Sequence, residues 1–314
     1  MSERSAERPD SAQRADSARA LDPEVAKRVA NLTLAARKAV EGLLTGIHKS
    51  PHRGASVVFV EHREYRPGDD LRLLDWRAFA RSDRHQIKRF EQETHLRATL
   101  VLDRSGSMAY GGKDRASKIE HAATLLAALA FVLVRQGDAA GLVGIDERVH
   151  ERLAARTRPA HLEELLRSLA VPAHEGAKTD LAAALTQVAE RAGRRGLVAI
   201  ASDLIDFGER ALAPLAHLVS HGHDVVVFHV LDPDELELPF QAPARFEGLE
   251  GESPIEADPD ALRAAYLERM QSFLHTCRSR CLAAGARYRL ARTDEPVERT
   301  LAAVLTSGRR RGFA

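Results

Sequence analysis

The sequence predicts an α/β protein with a doubly wound, mostly parallel sheet flanked by helices. Three observations carry this. From residue 96 onward, short apolar runs alternate with longer segments of helical periodicity, the pattern of βαβ units. The runs LRATLVLD (96–103), AAGLVGID (139–146), GLVAIASDL (196–204) and DVVVFHVLD (224–232) are apolar almost throughout, as strands covered on both faces must be. Asp103 and Asp203 stand at the ends of two of them, where open parallel sheets bind ligands.

The elements follow in order. Residues 1–20 are rich in Ser, Arg, Asp and Ala without apolar periodicity, which predicts a disordered tail. Residues 23–45 carry Val25, Val29, Leu32, Leu34, Ala35, Val40, Leu43 and Leu44 at helical spacing. Within 46–94, β-like runs at 56–61 and 85–91 flank a turn at Pro67-Gly68-Asp69-Asp70. The 21–95 region holds too few short strands to stand alone, so it is expected to decorate the main domain. After the strand at 96–103, Ser117-Lys118-Ile119-Glu120 forms a capping box for a helix that runs through AATLLAALAFVLV (122–134). That stretch is too short to span a bilayer, which takes roughly 20 apolar residues. The strand at 139–146 comes next, then a short edge strand at 148–153 and helices at 160–170 and 179–193. The strand at 196–204 precedes a helix at 208–222 with a proline inside it, and the strand at 224–232 follows. A small hairpin is predicted near 240–257, then a helix at 258–285, a last strand at 286–293, a helix at 295–306 and a basic tail at 307–314.

Composition narrows the function. Of 314 residues, 46 are Lys or Arg and 45 Asp or Glu, a net charge of +1. A general nucleic-acid or anionic-membrane binder needs a basic excess. Cys277 and Cys281 are the only cysteines; they fit small semi-buried residues of a reducing, cytoplasmic compartment. No signal peptide or membrane span is legible. G-x-G-x-x-G after the first strand, the Walker lysine loop and G-x-S-x-G are all absent, so the common nucleotide and serine-hydrolase chemistries lack their motifs.

Five oxygen-bearing side chains can converge at the strand ends: Asp103, Ser105, Ser107, Thr179 and Asp203. The alternation Asp103-x-Ser105-x-Ser107, with Gly106 inside it, lets one loop turn a carboxylate and two hydroxyls to one point. Such a set suits Mg²⁺ or Mn²⁺, which take oxygen ligands and keep several waters. The same residues also fit a hydrogen-bonded loop without metal, with Asp103 and Ser107 acting as caps.

Asp103-x-Ser105-x-Ser107, Thr179 and Asp203 resemble the metal-ion-dependent adhesion site of von Willebrand factor A domains. The resemblance implies that these five residues hold the cation, some through water. A second resemblance covers about residues 40–305. GIHKSPHRGASVVFVEHREYRPGDDLRLLDWRAFARSD followed by LVLDRSGSM is similar to the bacterial domain-of-unknown-function family fifty-eight. That family joins this signature to a von Willebrand factor A-like domain, here 96–306. It implies work beside a MoxR-type AAA+ ATPase in maturing other proteins; the metal, only partly neutralised by its own ligands, could then accept an acidic residue from a protein partner, the ATPase or its client. Many relatives begin with membrane helices, and this chain resembles the short, soluble subgroup.

Two other readings stay open. A metal-dependent phosphohydrolase would use Asp103 on phosphate, with Lys178 as its best cation; a metal-independent scaffold would keep a vestigial site. The polar cluster from Arg63 to Arg81 reads either as a docking surface anchored by Trp76 or as Arg–carboxylate staples around a core tryptophan. His48, His52, His62 and His85 match no common zinc spacing. His121 and His229 read as semi-buried structural histidines.

Overall fold

The computed structural model describes residues 23–48, 62–64, 86–88, 96–193 and 195–308. The expected tail at 1–20, nearly all of the Arg63–Arg81 cluster with Trp76, His52, His85 and most of the basic C-terminus lie outside the described residues. The chain divides into two units, one holding residues up to Ile47 and from Leu96 on, the other His48–His95. In the second unit, β1 (His62–Glu64) pairs antiparallel with β2 (Gln86–Lys88), His62 opposite Lys88.

In the main unit, helix α1 spans Pro23–His48. Its Leu32, Ala36, Ala39, Val40 and Leu43 recur every three to four residues and are buried. Leu34, expected on that stripe, falls off its phase and is 71% exposed. The six-stranded sheet has the order β10-β7-β6-β3-β4-β5. Its strands are β3 (Arg97–Asp103), β4 (Ala139–Ile145), β5 (Val149–Arg156), β6 (Leu197–Ser202), β7 (Asp224–Leu231) and β10 (Arg287–Arg292). All neighbours pair parallel except the β4–β5 edge. The doubly wound, mostly parallel sheet expected from the sequence is the one observed. From the central β3 the chain steps to β4 on one side and later to β6 on the other, so the switch point lies at the carboxyl end of β3.

Strand alternation sorts the core into two layers. Leu100, Leu102, Leu142, Ala199, Phe228 and Val230 face α1, α2 (Lys118–Arg135), α3 (Pro159–Leu169) and α8 (Val297–Gly308). Val101, Val143, Ile200 and Val227 face α4 (Leu181–Arg191), α5 (Leu212–Ser220) and α7 (Pro259–Ala283), which contributes Cys277 and Cys281. Burial pushes these free thiols up, to about 11 and about 12, so they act as inert packing groups.

Local chemistry explains the ends. The capping box at α2 is formed: the Ser117 N–H donates to Glu120 Oε2 at 2.9 Å, and Ser117 Oγ accepts from the Glu120 N–H. Asp180 caps α4 by accepting from the Ala183 N–H at 2.9 Å. Pro214 shortens the helix expected at 208–222. A 3₁₀ turn covers Glu209–Ala211, and α5 begins at Leu212, so the proline falls in the first turn, where a missing N–H costs little. The edge strand β5 runs three residues beyond the expected 148–153. The hairpin expected near 240–257 is β8 (Ala244–Phe246) against β9 (Ile255–Ala257), after a short helix α6 (Pro233–Glu237). No helix among the described residues is long and apolar enough to cross a membrane.

His121 is 5% exposed, and burial pulls its imidazole down to about 4, against a weaker upward pull from Asp294. A histidine depressed in the folded state stabilises fully above its ordinary 6.5, and this stability is lost as pH falls toward 4. Urea unfolding at pH 7 and pH 4 should show the wild type losing on the order of 3 kcal/mol more than His121→Leu.

Candidate metal centre

Asp103 ends β3, and the chain turns at once. The Arg104 N–H donates to the Ile145 carbonyl at 2.7 Å, and the Ser105 N–H to Asp103 Oδ1 at 3.0 Å. A 3₁₀ turn over Gly106–Ala109 sets the Ser105 and Ser107 hydroxyls 3.1 Å apart. Asp103 and Ser105 are fully buried and Ser107 nearly so. Arg104, between them, goes the other way: its guanidinium lies 3.1 Å from Glu151 and donates to the Ser168 carbonyl at 2.7 Å. Successive side chains thus separate an oxygen-rich face from a cationic anchor.

Asp203 follows β6, the neighbour of β3, and is also fully buried. The Ser202 hydroxyl donates to Asp103 Oδ2 at 2.6 Å. Burial first, and then the Asp203 charge, push the Asp103 carboxyl up to about 7; hydrogen bonds from Ser202 and Ser105 only partly offset this. The countercharge is Lys118, the first residue of α2 and completely buried. Its Nζ lies 2.8 Å from Asp203 Oδ2 and 2.6 Å from Glu235 Oε1. Burial pulls the ammonium down, and the two carboxylates more than make up for it, leaving its pKa above the ordinary value. One ammonium is therefore shared by Asp203 and Glu235, while Asp103 is met by the Ser202 hydroxyl and the Ser105 N–H, and uncompensated buried charge is costly.

The loop before α4 rests on the same turn: the Gly106 N–H donates to the Ala177 carbonyl at 2.8 Å. Thr179 lies two residues on, and its Oγ1 is buried without a hydrogen-bond partner. The structure thus gathers Asp103, Ser105, Ser107 and Asp203, with the Thr179 loop against their turn. Two carboxylates, the two serine hydroxyls, the orphaned Thr179 Oγ1 and two buried acids beside a single buried ammonium fit a hard divalent cation. Lys178 is exposed.

The β8–β9 hairpin covers this turn. A Cβ on Gly106 would stand 2.0 Å from the Leu249 carbonyl oxygen, so the Ser-Gly-Ser glycine is required by the close approach of the hairpin. A cavity of about 240 Å³ opens there, bounded by Ser107, Tyr110, Ile205 and Leu249 and by four glutamates, Glu235, Glu247, Glu250 and Glu252. Beneath it, Asp232 at the end of β7 accepts from Arg115 at 2.8 Å, Thr293 at 2.6 Å and the Gly112 N–H at 3.2 Å. Burial raises this carboxyl, but these donors hold it at about 2, so it fixes the 110–117 loop as an anion. Sequence reading missed Lys118, Ser202 and Glu235. The capping-box stretch and the Ser202-Asp203 pair were visible, but nothing in sequence joins residue 118 to 203.

Lys118→Met should leave Asp203 and Glu235 unpaired and cost about 3–5 kcal/mol in urea unfolding. Asp203→Asn in that background should recover part of the loss, whereas a purely packing role for Lys118 predicts no recovery.

The family model described as "Protein of unknown function DUF58" matches residues 61–273. The uncharacterized protein Rv1480 of Mycobacterium tuberculosis (strain H37Rv) is 30% identical over 220 residues, 69% of this chain and 68% of the relative. The uncharacterized protein YeaD of Bacillus subtilis (strain 168) is 28% identical over 120 residues, 38% of this chain and 28% of that protein. Among solved structures, the chain is similar to the conserved hypothetical protein BatB from Bacteroides thetaiotaomicron, with a TM-score of 0.44 and 15% identity over 68% of this chain and 99% of that one. It is also similar to the SpRpn10 VWA domain, with a TM-score of 0.37 and 12% identity over 66% and 94%. The match over more than half of its length places this chain in the DUF58 family, whose function is unknown.

Proposed function

We propose that this chain is a non-enzymatic, cytoplasmic protein-binding module. It captures an acidic side chain of a partner through Mg²⁺ or Mn²⁺ held by Asp103, Ser105, Ser107, Thr179 and Asp203. The observation that carries this reading is the buried pair of carboxylates at the sheet's switch point, short of positive charge and ringed by hydroxyls. The likeness of this set to a metal-ion-dependent adhesion site supports it. Membership of the family supports a MoxR-type AAA+ ATPase, or that ATPase's client, as the partner.

The mouth supplies a reason for metal dependence. Glu235, Glu247, Glu250 and Glu252 attract a cation and repel a bare carboxylate. An acidic partner residue therefore docks only once the cation is in place. Ile205 and Leu249, 56% and 40% exposed, offer apolar contact beside it. A phosphohydrolase would need a free cation for the phosphate. Lys118 and Arg104 are instead committed to Asp203, Glu235 and Glu151, which would leave that role to the exposed Lys178.

Calorimetric titration of Mg²⁺ and Mn²⁺ into metal-stripped protein, at up to millimolar concentration, should show saturable binding that Asp103→Ala abolishes. Affinity should fall as pH drops below about 7, because the cation must displace the Asp103 proton. Capture of the purified ATPase should be lost in EDTA. Equal capture by Asp103→Ala in the presence of chelator would overturn the metal bridge. Turnover of a generic phosphate ester that needs both Mg²⁺ and Asp103 would overturn the non-enzymatic reading.

A further inference from the structure

We propose that Asp146, His150 and His174 form a second metal site, built for a transition ion of the Zn²⁺ class and separate from the all-oxygen set at Asp103. Asp146 follows β4, His150 is the second residue of β5, and His174 lies in the loop before α4. Their ligand atoms all lie within 4.8 Å of one another. One oxygen, Asp146 Oδ2, receives both imidazoles: His174 Nδ1 at 3.0 Å and His150 Nε2 in closer contact. The rings stand edge to face, with centroids 4.9 Å apart and planes at 87°.

The three ligand atoms are close enough together for one ion to reach all of them, with the carboxylate oxygen shared by both imidazoles. A tetrahedral ion with bonds of about 2.0–2.1 Å holds its donors about 3.3 Å apart. Two of the three donor residues are also held by neighbouring backbone. The Asp146 N–H donates to the Arg148 carbonyl at 3.0 Å, and the Arg148 N–H to Asp146 Oδ1 at 3.2 Å, which orients the carboxylate and leaves Oδ2 for the histidines. The His174 N–H donates to the Arg104 carbonyl at 2.8 Å, and the Asp180 N–H to the Asp146 carbonyl at 3.2 Å. An ion would take the place of the direct imidazole contacts on Asp146 Oδ2.

Donor type sets the selectivity. Two imidazole nitrogens and one carboxylate favour Zn²⁺, Co²⁺ or Ni²⁺ over Mg²⁺. The carboxylate is 5% exposed, and the His150 and His174 side chains 26% and 37%, so an ion can enter from solvent and water can complete its shell. An ion here ties the 171–180 loop, which carries Thr179, to the β4–β5 edge of the sheet.

The test uses the full chain without an affinity tag, stripped of metal. Zn²⁺ is titrated in competition with a chromophoric chelator, and Co²⁺ is followed by its visible d–d absorption. Wild type should bind one ion per chain with a tetrahedral Co²⁺ spectrum. His150→Ala and His174→Ala, both at partly exposed positions, should each weaken binding at least about tenfold. Asp103→Ala should bind Zn²⁺ as wild type does, even though it loses Mg²⁺, which keeps the two sites' outcomes apart. Absence of Zn²⁺ and Co²⁺ binding in wild type, or undiminished binding in both histidine variants, would overturn the proposal.

Discussion

Two aspartates at the ends of neighbouring strands, buried with one lysine between them and a third carboxylate, are the constraint on which the rest of this structure depends. Parallel pairing of β3 and β6 fixes Asp103 beside Asp203. Neither reaches water, so the charge must be answered locally. Lys118 answers part of it, and its position is set by the capping box that starts α2 at that residue. Ser202 and the Ser105 N–H answer another part at Asp103. Burial and the neighbouring Asp203 charge still hold the Asp103 carboxyl above its ordinary range, and this is where the proposed function places a divalent cation.

Around this centre, each loop is held by a different device. Arg104 is locked to Glu151 and Ser168, so the strand-to-turn transition cannot rotate its neighbours out of the site. Asp232 gathers Arg115, Thr293 and the Gly112 N–H under the loop that leads to Lys118. Gly106 lets the β8–β9 hairpin press its backbone onto the turn and bring its glutamates to the mouth. Rigid positioning by ion pairs beneath, with an acidic rim above, is the arrangement expected of a site that collects a cation first and a carboxylate second.

Much of this was legible in the sequence, for definite reasons. β3, β4, β6 and β7 are read directly because strands covered on both faces become continuous apolar runs. Asp103, Ser105, Ser107 and Asp203 are read from their place at those runs' ends. Leu34 misled because it stands two residues after Leu32, about 200° around the helix from the buried stripe, so its apolar character alone does not place it there. Pro214 misled because a helical pattern does not reveal that the first turn tolerates proline. Lys118 with Asp203, and His150 with His174 on Asp146, were hidden for a different reason. Lys118 and Asp203, and His174 and Asp146, are brought together by the fold from segments far apart in sequence, while His150, four residues from Asp146, gives no signal until His174 arrives.

The most direct measurement is anomalous diffraction from crystals of the full chain grown with millimolar Mn²⁺. The account predicts a peak bounded by Asp103, Ser105 and Ser107, with Thr179 Oγ1 and Asp203 within direct or water-bridged reach and Lys118 still on Asp203 and Glu235. An undisturbed Ser105–Ser107 hydroxyl pair, with no peak at that position, would contradict it.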